Sequence, residues 1–170
     1  CAPDAVKEIK PNCMFGVSPS GIWANAGDTP GGSNTNGSSS YHSLYADTKL
    51  WVEREYLDYI MPQIYWYNGQ PNADYNTLIN WWAGVCAPKN VKLYIGEAAY
   101  KAASGSEAAW KGQNGINELS NQVSMCRQSQ YIGGYSMFEY SSFMGNSNLY
   151  NLIKQLHSTP AAAPTLGEIC

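Results

Sequence analysis

The stretch Tyr59–Gly69, YIMPQIYWYNG, begins as a buried strand and ends as something else. Tyr, Ile and Met suit a pleated, half-buried surface, whereas Pro62 cannot donate to a ladder and belongs at a strand end or bulge. Beyond it, Gln63, Tyr65, Trp66 and Asn68 gather rings and amides at the C-terminal end of the strand. Outward from this stretch, similar apolar runs recur in CMFGV up to Val17, in NVKLYIGEAAY from Asn90 and in IGGYSMFEYSSF from Ile132. Helical spacing follows each of them, in SLYADTKLWVEREYLDYI around Asp47–Trp51, in DYNTLINWWAGVC capped by Asn72 or Asp74, in INELSNQVSMCRQSQ and in NSNLYNLIKQL. A further short helix, PDAVKEIKP, opens the chain between Pro3 and Pro11. Strands alternating with helices predict an α/β fold: four βα units of one parallel sheet.

The segment Asn25–Ser40, NAGDTPGGSNTNGSSS, has the composition of a flexible linker. A unit ending at Asn25 would hold one helix and one strand, too little to bury a core. It is therefore expected to be a long strand-to-helix loop within a single unit spanning 1–157. The tail 158–170, rich in Pro and Ala, is expected to be extended or disordered.

With 170 residues, 44% hydrophobic and 14% charged, the chain is globular in composition. It is shorter than the roughly 250 residues of a complete eight-stranded α/β barrel. A net charge of -3 gives no basic footprint for nucleic acid. No apolar run reaches the length of a membrane span, and any export signal lies outside these residues. Five Cys at irregular spacing and only two His, His42 and His157, form no metal-binding pattern. Neither a metal nor a cofactor is expected. Cys13 and Cys126 lie in apolar or helical stretches and read as buried thiols.

In a parallel sheet the C-terminal strand ends share one edge, where α/β folds bind ligands. Ser18, Ser20 and Trp23 fall at the first such end, Gln63, Tyr65, Trp66 and Asn68 at the second, Glu97 and Tyr100 at the third, and Glu139, Tyr140 and Ser141 at the fourth. Thirteen Tyr and six Trp against three Phe favour rings with one wet edge. Glu97 and Glu139 cap successive strands, about 4.8 Å apart in a sheet, within reach of the carboxylate pair of a retaining glycosidase. The same residues also suit plain roles, with Glu97 and Glu139 accepting hydrogen bonds at strand ends and the rings packing at the core margin. Asp58 and Asp47 read as structural, Trp81 and Trp82 as core. No G-x-S-x-G elbow supports a serine nucleophile.

Taken together, FGVSPSGIW, GSNTNG, YADTKLWVEREYLDYIMPQIYW, YNTLINWW, LYIGEAAYK, ELSNQV and GGYSMFEYSSF resemble the C-terminal half of the glycosyl hydrolase-like 10 family, from about Val6 to Leu156. The resemblance implies strands five to eight of a (β/α)8 barrel that acts on or binds glycans, outside the cytoplasm and often on cell-envelope polysaccharide. It makes Glu97 the strand-seven carboxylate and Glu139 an unusual residue at its position. It also implies a partner that completes the barrel: an N-terminal half or a second copy of the chain. A non-catalytic carbohydrate-binding module using the same aromatic edge is the alternative.

Overall fold

The computed structural model describes residues 2–160. The chain runs α1 (Ala2–Ile9), β1 (Gly16–Val17), α2 (Ser40–Leu44), α3 (Thr48–Glu53), β2 (Tyr59–Ile60), α4 (Tyr75–Cys86), β3 (Lys92–Glu97), α5 (Ala99–Ser104), α6 (Gln113–Gln128), β4 (Ile132–Met137), α7 (Tyr140–Met144) and α8 (Ser147–Leu156). The strands form one four-stranded sheet in the order β1-β2-β3-β4, every pair parallel. This is the α/β arrangement predicted from the alternation of strands and helices, and it matches half of a (β/α)8 barrel. The tail residues 161–170 lie outside the described residues.

β1 and β2 are short because Pro19 and Pro62 interrupt their ladders, and isolated bridges Ser20↔Gln63 and Gln63↔Gly96 carry the pairing past the prolines. The region expected to be one helix around Asp47–Trp51 is two. Tyr45 takes a left-handed conformation (φ 53°) that closes α2, and the Asp47 side chain accepts from the Leu50 N–H to open α3. Asp47 is a helix cap rather than a mid-helix residue.

Helix α4 packs Leu78, Ile79 and Trp82 onto Ile60, Leu93 and Ile95, forming the larger core together with Cys126 of α6. A second core under α5, α6 and α8 collects Ala102, Trp110, Ile116, Leu119, Leu149 and Leu152. Cys126 and Cys86 are buried free thiols. Cys13 is disulfide-bonded, which corrects its reading as a thiol. No helix among the described residues is long and apolar enough to cross a membrane.

The Gly/Ser/Asn-rich loop is built around Asn25, which is 6% exposed. Its Nδ2 donates to Asp28 Oδ2 (2.8 Å) and to the Gly37 carbonyl (3.0 Å), and its Oδ1 accepts from Thr35 Oγ1 (2.9 Å) and the Gly37 N–H (3.0 Å). Every lone pair and proton of a buried amide is thereby satisfied. The indole N–H of Trp81 donates to the Gly31 carbonyl (3.1 Å) and that of Trp82 to Gly21 (2.8 Å), pinning the loop to α4.

Asp74 caps α4, and its carboxylate accepts from the N–H groups of Gly69 (2.6 Å) and Thr77 (2.8 Å) and from the Thr77 hydroxyl (2.7 Å). Partial burial works to raise its pKa, but these hydrogen bonds outweigh burial and hold it below the ordinary carboxylate value. Replacing Asp74 with Ala is expected to cost about 1 kcal/mol. The cost will be present above the unfolded carboxylate pKa of about 3.9 and will vanish as pH falls through the lower folded value, a trend checked by urea denaturation across acid pH.

Candidate functional site

Residues along a strand alternate between faces. In β2, its continuation past Pro62, and β3, Ile60, Ile64, Leu93 and Ile95 belong to the helix-covered core. Tyr59, Gln63, Tyr65, Tyr94 and Gly96 fall on the opposite, open face. Here the Tyr59 ring covers β1, where a Cβ on Gly16 would come within 2.3 Å of it. Tyr59 meets Tyr94 edge to face at 5.8 Å. One step nearer the C-terminal edge, Ser20, Gln63, Gly96 and Ser136 stand in one register row. A Cβ on Gly96 would meet the Gln63 Cα at 3.2 Å, so this row has a flat floor. Gln63 Nε2 donates to the Ser18 carbonyl (3.1 Å) and to Ser18 Oγ (3.3 Å). Those bonds tie the end of β2 to the turn after β1.

At the edge, three rings from three strand ends meet. Tyr65 stacks on Phe138 at 6.2 Å and meets Tyr100 edge-on at 5.9 Å, while Tyr100 and Phe138 lie at 6.1 Å. Backbone bonds hold them in place, from the Tyr100 N–H to the Phe138 carbonyl (3.0 Å) and from the Phe138 N–H to the Glu97 carbonyl (2.9 Å). Burial, then the neighbouring Tyr100 and Glu97, push the Tyr65 hydroxyl above its ordinary pKa, so it stays a neutral donor. Phe138 is 52% exposed and offers the widest ring surface of the three. Sequence reasoning passed over Phe138, Ser136 and Tyr59. Counting in twos from the buried Ile60 and Ile95 is the signal that finds the open face.

The remaining expected site residues go elsewhere. Trp66 packs against the larger core. Trp23, 6% exposed, donates to Asp47 Oδ1 (2.9 Å) and stacks on Trp81 at 5.8 Å. Asn68 gives its backbone N–H and Nδ2 to Glu118 Oε1 (both 2.8 Å), and Gln122 Nε2 bridges the same oxygen (2.8 Å) to the Trp66 carbonyl (2.9 Å). These three residues fasten the site's frame and do not line it. Tyr140, 73% exposed, and Glu139 stand on the rim at the start of α7.

Glu97 is 0% exposed. It shares the parity of Leu93 and Ile95 and therefore turns into the helix layer. Its Oε1 accepts from the Tyr75 hydroxyl (2.5 Å) and from Cys126 Sγ (3.4 Å), while Oε2 has no partner among the described residues. The two carboxylates expected as a pair differ in setting: Glu97 is buried, and Glu139 is exposed at the rim. Burial pushes the Glu97 carboxyl up to about 8, against the opposing bonds from Tyr75 and Cys126 and with a further push from Glu118. Folding therefore favours the protonated acid. Stability is full below the unfolded pKa of about 4.3 and falls as pH rises toward the folded value of about 8. The variant Glu97→Gln is expected to flatten that fall, measured as denaturation midpoints between about pH 4 and pH 8.

No group of three or more His, Cys, Asp and Glu among the described residues is arranged to hold a metal. Residues 3–131 match the glycosyl hydrolase-like 10 family. The chain is 44% identical over 135 residues to glycosyl hydrolase DigH of Escherichia coli strain K12, covering 78% of this chain and 31% of that protein. It is 38% identical over 164 residues to glycosyl hydrolase YngK of Bacillus subtilis strain 168, covering 95% of this chain and 32% of that protein. The chain therefore spans about a third of the length of these relatives. Its match to the family extends over most of its length and includes β1, β2 and β3 with their connecting loops, and the chain belongs to the glycosyl hydrolase-like 10 family.

Proposed function

We propose that this chain is the glycan-binding half of a glycoside hydrolase barrel. The observation that carries this reading is the open sheet face, where neutral hydrogen-bonding groups lead to an edge of three exposed or half-exposed rings. Sugars present alternating hydroxyl edges and C–H faces. Gln63, Ser18 and Ser136 supply the first kind of contact, and Tyr65, Tyr100 and Phe138 the second. Glycosidic hydrolysis takes two carboxyl groups flanking one bond. Glu97 is buried, and Glu139 alone stands at the rim, so the second acid comes from outside this copy of the chain, either from an N-terminal half or from a second copy. The substrate is read, on the family resemblance, as an extracytoplasmic polysaccharide such as that of the cell envelope.

The sealing of Glu97 also favours a second reading, in which this half binds glycan without cleaving it. Solution mass and turnover on cell-wall and plant glycans separate the two. A self-associating chain with turnover supports a rebuilt catalytic barrel; binding without turnover supports the module.

Under either reading, Tyr65→Ala and Gln63→Ala are expected to weaken glycan binding about tenfold each, on the order of 1.4 kcal/mol, as measured by calorimetric titration. Glu97→Gln is expected to leave affinity unchanged. Undiminished binding by the Tyr65 variant would remove the edge as the sugar site. A loss of binding in a folded Glu97 variant would restore that residue to the site.

A further inference from the structure

A groove of about 540 Å³ lies on the helical side of the molecule, between α4 and the end of α6, and closes against the start of β4. It opens where the chain enters β4, whereas the site described above lies where the chain leaves β4. Its volume falls in the range of small-molecule sites. Of its lining residues only Tyr131 carries an ionisable group, and the polar lining consists of Asn76, Asn80, Gln128, Gln130 and Ser129. The floor is apolar, with Ile79, Met125 and Ile132. A neighbouring groove that shares Gln130 and Tyr131 is lined instead by Lys89 and Lys92. The contrast bears on the ligand, because a groove without charge offers neither an ammonium nor a carboxylate its counter-ion.

The amides are also preorganised. Asn80 Nδ2 donates to both the Asn76 carbonyl (2.8 Å) and Asn76 Oδ1 (2.9 Å), a contact allowed by their i, i+4 spacing on α4. That bond restrains both amides and leaves Asn76 Nδ2 to donate and Asn80 Oδ1 to accept at the groove. One amide donor and one amide acceptor are the kinds of partner that sugar hydroxyls take. Gln128 is held in the same way, its Nε2 donating to Ser124 Oγ (3.0 Å). Tyr131, 49% exposed, also lines the groove.

We propose that this groove is a second binding site for an uncharged saccharide, separate from the strand-end site and independent of it. The Asn76–Asn80 pair takes a vicinal diol, and Tyr131 covers the C–H face of the same ring.

The test is a titration of the ¹⁵N-labelled chain with cellopentaose and with chitopentaose as neutral probes, and with a sulfated heparin oligosaccharide as the charged control. Side-chain amide resonances of Asn76, Asn80, Gln128 and Gln130 are followed. The expected result is a saturable shift of these amides with at least one neutral probe, weakened about tenfold in Asn80→Ala and in Tyr131→Ala. Both residues are exposed or surface-lying, and the backbone spectrum verifies that the variants fold. In Tyr65→Ala the groove response is expected to persist, so the two sites fail or stand separately. Absence of amide shifts with both neutral probes overturns the proposal. A response unaffected by Asn80→Ala, or one stronger with the sulfated oligosaccharide, overturns it as well.

Discussion

A sheet covered by helices on a single face imposes a parity on every residue of its strands. In this protein, β2 and β3 share that parity through the partners Ile60 and Leu93, and the chemistry follows from it. Side chains of one parity stabilise the fold by burial: Ile60, Ile64 and Ile95 are each 0% exposed, and burying such side chains contributes roughly 1.5–3 kcal/mol apiece. Those of the other parity are left for a ligand or for further barrel strands. Gln63 and Tyr65 are available because Ile64 between them is not. Glu97 is unavailable because Ile95, two residues earlier, is a core residue. A charged group enters the core by this rule only when it can be neutralised, and Glu97 is held by a phenol, a thiol and its own raised affinity for a proton.

The edge that results is held more by polar contacts than by packing. Glu118 ties the loop after β2 to α6 through Asn68 and Gln122, Asp74 ties the same loop to α4 through Gly69, and Asn36 reaches it through the Asn72 carbonyl (2.8 Å). Asn72 adopts a left-handed backbone (φ 67°) and Gly69 another (φ 81°), which a glycine adopts at no steric cost. Loops with this many internal bonds present a fixed surface, and a fixed surface loses less entropy on binding.

Much of the architecture was legible. Apolar runs in CMFGV, DYIMPQIYW, NVKLYIGEAAY and IGGYSMFEYSSF alternate with helical spacing, which is the pattern of a parallel sheet. The loop around Asn25 was recognisable as a loop because its flanks are too small to fold alone, though its composition concealed the buried amide that orders it. The break between α2 and α3 was hidden because Asp47 serves equally as a helix residue and as a cap. For the site, Gln63, Tyr65 and Tyr100 emerged from their position at strand ends. Position alone, without parity, also named Trp66, Trp23 and Glu97, which the structure places in packed or buried settings. Trp23 and Glu97 have partners far along the chain, Asp47 and Tyr75, and such pairings follow from tertiary contact rather than local pattern.

The indoles that fasten the long loop have a further consequence. Trp23 lies parallel to Trp81 at 5.8 Å, and Trp81 meets Trp82 edge-on at 4.8 Å, with the loop's Gly31 and the turn's Gly21 bonded to two of the three. Aromatic transitions this close couple, and the sign and size of the coupling depend on the angle between rings. The protein thus carries an intrinsic chiroptical gauge of whether its first loop is seated. That signal is read in the near ultraviolet without a label.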